Sequence, residues 1–132
     1  VHGLILAAVL SSFNNVQVTR VYDGDTFMVN LPAQAPVFGE NISVRILGID
    51  TPEILDERPC ARKAAQEARD ALSGLMKGSV VDLVNCQRDK YFRLACEVHL
   101  DGWMDAGEVL LFMNLAVPYD GGTKPKWYCR RP

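Results

Sequence analysis

The sequence predicts an α+β domain that is mainly β: a small antiparallel barrel of about five strands with two helices packed outside it. Three observations predict it. Short runs rich in β-branched and aromatic residues recur between turn signals, two helical patterns carry their own start or stop signals, and the order reads β-β-β-α-β-β-α. Periodicity alone leaves an α+β sandwich open as the alternative architecture.

Taken in order, Gly3 to Leu10 (GLILAAVL) is an apolar run followed by Ser11 and Ser12. It has the length of a signal-peptide h-region and is far too short to cross a bilayer. No basic n-region precedes it, so an ordered terminal strand or helix is the competing reading. Val16 to Leu31 contains two β runs, VQVTRVY and TFMVNL, joined by Asp23-Gly24-Asp25, which predicts a hairpin or a tightly bent strand. Pro32 to Asn41 has the proline and glycine content of a connecting loop. Ile42, Val44 and Ile46 then alternate with Ser43 and Arg45, and the strand stops at the proline turn Gly48-Ile49-Asp50-Thr51-Pro52.

Between Pro59 and Gly78, Ala61, Ala64, Ala65, Ala68, Leu72, Leu75 and Met76 recur at three- and four-residue spacing, the pattern of an amphipathic helix. Ser79 to Val84 and Phe92 to Leu100 read as two strands, the second turning Leu94, Cys96, Val98 and Leu100 to one face. Asp105 followed by Glu108 has capping-box spacing and opens a short second helix before the apolar run Val109 to Met113. The tail from Asp120 shows no periodicity, and the chain has no internal repeats.

A chain of 132 residues and 14.6 kDa suits one core, and 48% hydrophobic with 23% charged residues excludes intrinsic disorder and collagen-like structure. Fourteen basic against sixteen acidic side chains give a net charge of -2, so any nucleic-acid role must rest on local charge. No segment is long enough for a membrane span. The cysteines, Cys60, Cys86, Cys96 and Cys129, form no C-x-x-C pair, and with only His2 and His99 a structural zinc site is disfavoured. Two disulfides in any of three connectivities and buried reduced thiols both remain open.

Charge concentrates where strands end: Asp23 and Asp25 in the first turn, Arg45 to Glu53 around the third strand, and Asp89-Lys90-Tyr91-Phe92-Arg93 before the fifth. Each alone reads as a turn or a solvated face. Together they supply the chemistry of phosphodiester hydrolysis. Asp25, Asp50 and the Thr51 carbonyl offer oxygen ligands to a hard cation such as Ca²⁺ or Mg²⁺, Glu53 is left as a base, and Arg45 and Arg93 offer guanidinium forks to phosphate oxygens.

Asp23-Gly-Asp-Thr26, Arg45, Asp50-Thr-Pro-Glu53 and Asp89-Lys-Tyr-Phe-Arg93, in this order around a helix, resemble the staphylococcal nuclease (thermonuclease-like) family. The resemblance runs from about Val18 to Tyr119 and includes Asp105 to Ala116, which is similar to the family's second helix with its Leu-Ala exit. It implies an OB-fold barrel with helices and a Ca²⁺-dependent nuclease acting on DNA and RNA as a monomer, leaving 3′-phosphate ends. It further implies Asp25, Asp50 and the Thr51 backbone oxygen as metal ligands and Glu53 as the residue orienting or deprotonating water. Arg45 would bridge the scissile phosphate, Arg93 would stabilise the transition state and leaving oxygen, and Asp23 would be a supporting acid. Lys90, Tyr91 and Tyr119 match substrate-contacting positions, Tyr119 only loosely.

On this footing residues 1–15 are a signal remnant or ordered extension, 16–119 the nuclease-like domain and 120–132 a basic tail. Departures from the family pattern are Phe92 in place of a usual glycine, a longer 32–41 loop positioned to cover or narrow the nucleic-acid groove, and an apparent lack of the third helix. In its place Lys124, Lys126, Arg130 and Arg131 are either a solvated end or phosphate contacts, and Trp127 and Tyr128 either stack on bases or anchor the tail. The competing function is a non-catalytic OB-fold module binding nucleic acid or protein, which retention of Asp25, Arg45, Asp50, Glu53 and Arg93 disfavours. A purely structural calcium site leaves Arg45 and Arg93 unexplained. Calcium use and possible disulfides point to an extracytoplasmic location, periplasmic or secreted.

Overall fold

A computed structural model of the chain describes residues 10–31, 34–76, 79–89, 93–101 and 104–124. The β-rich runs form β1 (Ser11–Val21), β2 (Thr26–Asn30), β3 (Ile42–Ile46), β5 (Val80–Arg88) and β6 (Leu94–His99), which close into a barrel in the order β1-β2-β3-β6-β5. The expected all-antiparallel pairing is refined at one seam. Four neighbours pair antiparallel, whereas β3 and β6 run parallel, with Val44, Arg45 and Ile46 opposite Leu94, Ala95 and Cys96. The reason is parity: strand direction cannot alternate all the way round a closed ring with an odd number of members.

Alternation along the strands decides what faces inward. Val16, Phe27, Val29, Val44, Ile46, Val81, Leu83, Cys96 and Val98 fill the interior, so Thr26, Arg45 and Ala95 lie on the outer face. β1 is long enough to bend around the barrel, and irregularities near Phe13 and between Val18 and Arg20 let it pair with both β2 and β5. It starts at Ser11 rather than Val16, while the apolar run from Gly3 falls, up to residue 9, outside the described residues. β5 continues to Arg88 past the expected end at Val84, because Asn85 adopts φ 54° and is absorbed as a bulge instead of ending the strand.

α2 (Pro59–Met76) buries Ala61, Ala65, Ala68, Leu72 and Met76, as the spacing predicts. Its first half presents methyl groups, which lets that end approach the barrel closely. α3 (Ala106–Phe112) is capped as predicted, with Asp105 accepting the Glu108 N–H, and it buries Ala106 and Leu110. Two features had no sequence signal. The 36–39 stretch of the expected loop forms the short helix α1 (Pro36–Gly39), and Ile49–Asp50 (β4) pairs with Val117–Pro118 (β7) as a separate two-stranded ribbon. Val37 and Phe38 of α1 are exposed and line a cavity with Phe13, Leu31, Ile42 and Leu94, separate from the cavity that holds Arg45.

Cys86 and Cys96 form a disulfide between β5 and β6 inside the core, and Cys60 is disulfide-bonded as well. All three therefore take the oxidised alternative left open by the sequence. Among the described residues no helix is long and apolar enough to cross a membrane.

Candidate active site

The site begins with the tight turn between β1 and β2. The Tyr22 and Asp23 N–H groups both donate to the Thr26 carbonyl, and the Asp25 N–H donates to Asp23 Oδ1 at 3.2 Å, folding the acids of Asp23-Gly24-Asp25 inward. Gly24 is required by space. A Cβ there would lie 2.6 Å from Ala68 Cβ of α2 and 2.9 Å from both Thr51 side-chain branches, so the turn, the helix and the Asp50-Thr51 segment meet where only a glycine fits. Burial, reinforced by the neighbouring Asp25 charge, pushes the Asp23 carboxyl up to about 7.

Arg45 binds this turn to β4. Its guanidinium lies 3.1 Å from Asp25 Oδ2 and 3.4 Å from Asp50 Oδ1, and it also donates to the Ile49 carbonyl at 3.2 Å. Asp25 is further held by the Thr26 hydroxyl at 3.0 Å and the Thr51 N–H at 3.1 Å. Asp50 is fully buried, and its Oδ2 and the Thr51 hydroxyl are buried without a hydrogen-bond partner. A buried carboxylate oxygen left without a donor is costly. An oxygen-only donor set with an orphaned carboxylate oxygen is the environment a hard divalent cation relieves, so the residues present fit such an ion.

Glu53 follows on the exposed side of this cluster. Its carbonyl accepts the Asp56 N–H. The Asp56 carboxylate in turn accepts the backbone and guanidinium N–H groups of Arg58, which hold it down at about 2. Arg62 of α2 donates to the Asp56 and Glu57 carbonyls and so ties this loop to the helix.

The outer face of the β3–β6 pair forms a cavity of about 760 Å³ lined by Arg45, Ala95, Arg93, Asp89 and Tyr119 among others. Its floor is low because Ala95, directly opposite Arg45 in the ladder, carries only a methyl group. Arg93 is oriented by Asp89, which accepts its Nε at 2.8 Å and its backbone N–H at 3.0 Å. Tyr119 places its ring 5.6 Å from the Arg45 guanidinium carbon, a cation–π contact, while its hydroxyl donates to the Gly122 carbonyl at 2.7 Å.

The structure thus brings Asp23, Asp25, Arg45, Asp50, Thr51 and Glu53 into one cluster, with Arg93 and Tyr119 sharing the adjoining cavity. Lys90, Tyr91 and Phe92 lie outside the described residues, as do Lys126, Trp127, Tyr128, Arg130 and Arg131. Sequence reasoning missed Asp89 as the partner that aims Arg93, although opposite charges four residues apart were a usable signal. It named Lys124 as a solvated or phosphate-contacting residue and did not foresee its pairing: the ammonium lies 3.1 Å from Asp50 Oδ1 and 3.5 Å from Glu53 Oε2. Lys124 is therefore an exposed side chain whose charged end is paired with this cluster. Burial lowers its tendency to stay charged, but Asp50 and Glu53 outweigh this and raise its pKa.

A second cluster, Glu97, His99 and Asp105, has donor atoms within 4.8 Å of one another. Glu97 also accepts from the Asn85 amide and Asp105 caps α3, so His99 sits between two carboxylates that already have structural partners.

A closed five-stranded barrel with two acids and an arginine fastened at its rim, and a second arginine in the adjoining cavity, is an OB-fold domain with a charged site at its rim. Residues 43–126 match the family described as staphylococcal nuclease homologue, and the chain belongs to that family. The family is generally metal-dependent. The chain is 31% identical over 116 residues to Endonuclease YncB of Bacillus subtilis, covering 83% of this chain and 52% of the relative. It is 29% identical over 126 residues to Probable endonuclease C19F8.04c of Schizosaccharomyces pombe, covering 79% and 55%. To Probable endonuclease lcl3 of Pyrenophora tritici-repentis it is 30% identical over 87 residues, covering 64% and 32%. It therefore spans between about a third and just over half the length of these relatives.

Proposed function

We propose that this chain is a Ca²⁺-dependent nuclease that hydrolyses phosphodiester bonds of DNA and RNA. The observation that carries the reading is Arg45 held against two buried carboxylates while it lines the same cavity as Arg93. Asp25, Asp50 and the Thr51 carbonyl oxygen would hold the metal. When bound, Ca²⁺ supplies positive charge that polarises the phosphodiester and lowers the cost of hydroxide formation.

The chain's own residues do the rest. Glu53, exposed at the edge of the cluster, accepts the proton of the attacking water. Arg45 offers guanidinium N–H groups to a non-bridging oxygen of the phosphate, held in place by Asp25, Asp50 and the stacked Tyr119 ring. Arg93, with its Nε anchored to Asp89, directs its fork at the charge that grows on the phosphoryl group and the leaving oxygen, where fixed donors act most strongly. Asp23 supports the turn that aims Asp25. Lys90, Tyr91 and Tyr119 are the residues we assign to binding the flanking nucleotide.

The reading takes the chain to act as a monomer. The disulfides favour an oxidising, extracytoplasmic compartment, periplasmic or secreted. Glu53→Gln and Arg93→Ala are expected to lower turnover of single-stranded DNA by at least about a hundredfold, with circular dichroism and thermal midpoint unchanged. Tight strand binding without cleavage by the unmodified protein would instead establish a non-catalytic binding module.

A further inference from the structure

The segment after β7 folds back on the acidic cluster. The Tyr119 N–H donates to the Gly48 carbonyl, the Tyr119 hydroxyl closes onto the Gly122 carbonyl, and Asp120 Oδ1 accepts the Gly122 N–H. Gly121 takes φ +98°, a left-handed conformation suited to glycine that reverses the chain. The outcome is Lys124, whose ammonium bridges Asp50 Oδ1 and Glu53 Oε2 at 3.1 and 3.5 Å. A four-carbon stem carrying a compact point charge can fill a site meant for an inorganic cation in a way that a planar guanidinium cannot.

We infer that Lys124 is a tethered cation that competes with the metal for Asp50 and with water for Glu53, so that metal entry requires the lysine to leave. This rests on the metal-dependent nuclease reading and adds to it a residue that sets metal affinity. Two observations converge on it. The ammonium contacts one oxygen of Asp50, while the other oxygen of the same carboxylate is buried without a partner. Asp50 Oδ1 is thus shared by the Lys124 ammonium and the Arg45 guanidinium, which balance its charge without completing the coordination of the carboxylate, as an ion with several ligand positions would. The same ammonium engages Glu53, so a docked Lys124 also occupies the group assigned to activate water.

The test is calcium binding by isothermal titration calorimetry on the full chain, unmodified and with Lys124→Met, which keeps the length of the side chain and removes its charge. The contact is at the exposed edge of the cluster, and the thermal midpoint in chelator reports whether the variant is folded. We expect Lys124→Met to bind Ca²⁺ about tenfold more tightly, equivalent to about 1.4 kcal/mol, and to show a larger calcium-induced rise in thermal midpoint. Equal or weaker calcium affinity in the variant would overturn the competition and leave the nuclease reading standing. Absence of calcium binding in both proteins would overturn the competition and the metal reading together.

Discussion

Replacing Asp23 by Asn isolates the electrostatic stress in the β1–β2 turn. Asn keeps the Oδ1 acceptor used by the Asp25 N–H and removes the ionisable group. Burial and the Asp25 charge raise the Asp23 pKa from 3.8 to about 7, so the folded protein binds a proton more tightly than the unfolded chain. The sign follows directly. Well below pH 3.8 the group is protonated in both states and costs nothing. As pH rises from about 4 to 7 the unfolded chain ionises first, stability falls, and above pH 7 the penalty is constant. Three pKa units at about 1.4 kcal/mol each set an upper bound of about 4 kcal/mol, and the remaining solvent access of Asp23 brings the expected value to about 2–4 kcal/mol. Urea denaturation in chelator at a series of pH values should show Asp23→Asn nearly equal to the unmodified protein at about pH 3 and more stable by that amount at about pH 7.5. Saturating calcium should shrink the gain, since a cation in the cluster offsets the same repulsion. A variant that is destabilised at every pH, or whose effect does not change with pH, would refute the reasoning.

The remaining predictions concern packing and the covalent link. Gly24→Ala forces a methyl group against Ala68 and Thr51 and is expected to cost about 1–3 kcal/mol in chemical denaturation. Because the Thr51 N–H holds Asp25, the same change should weaken calcium binding by calorimetry. Replacing Cys86 and Cys96 together by Ala removes a link across ten residues of sequence and should lower stability by about 2–3 kcal/mol in non-reducing urea titrations. Identical urea midpoints for the double variant and the unmodified protein would show that the link is energetically idle.

Much of the site was legible because its residues sit in short linear patterns with a local cause. An Asp-Gly-Asp turn has to reverse the chain, which brings its acids together, whereas Asp50 reaches Arg45 because the chain turns between β3 and β4 at Gly48, which takes φ +86°. α2 announced itself because burial of one face enforces its period. What escaped depends on contacts distant in sequence. The β4–β7 ribbon has two residues per strand, too few for any alternation to register. The parallel β3–β6 seam is a property of ring closure, carried by no single segment. Lys124 lies in a stretch with no periodicity, and only the folded turn reveals that it returns to Asp50. The bulge at Asn85 read as a strand end because its positive φ and a true turn have the same local composition.

The central claim is that the clustered acids serve metal-assisted hydrolysis. It is tested most directly by assaying cleavage of single-stranded DNA and RNA by the purified chain across Ca²⁺, Mg²⁺ and Mn²⁺, with and without EDTA. The account predicts degradation with Ca²⁺, its loss in excess chelator and its return when Ca²⁺ is restored. Undiminished cleavage in excess chelator, or intact strands under every ion, would contradict it.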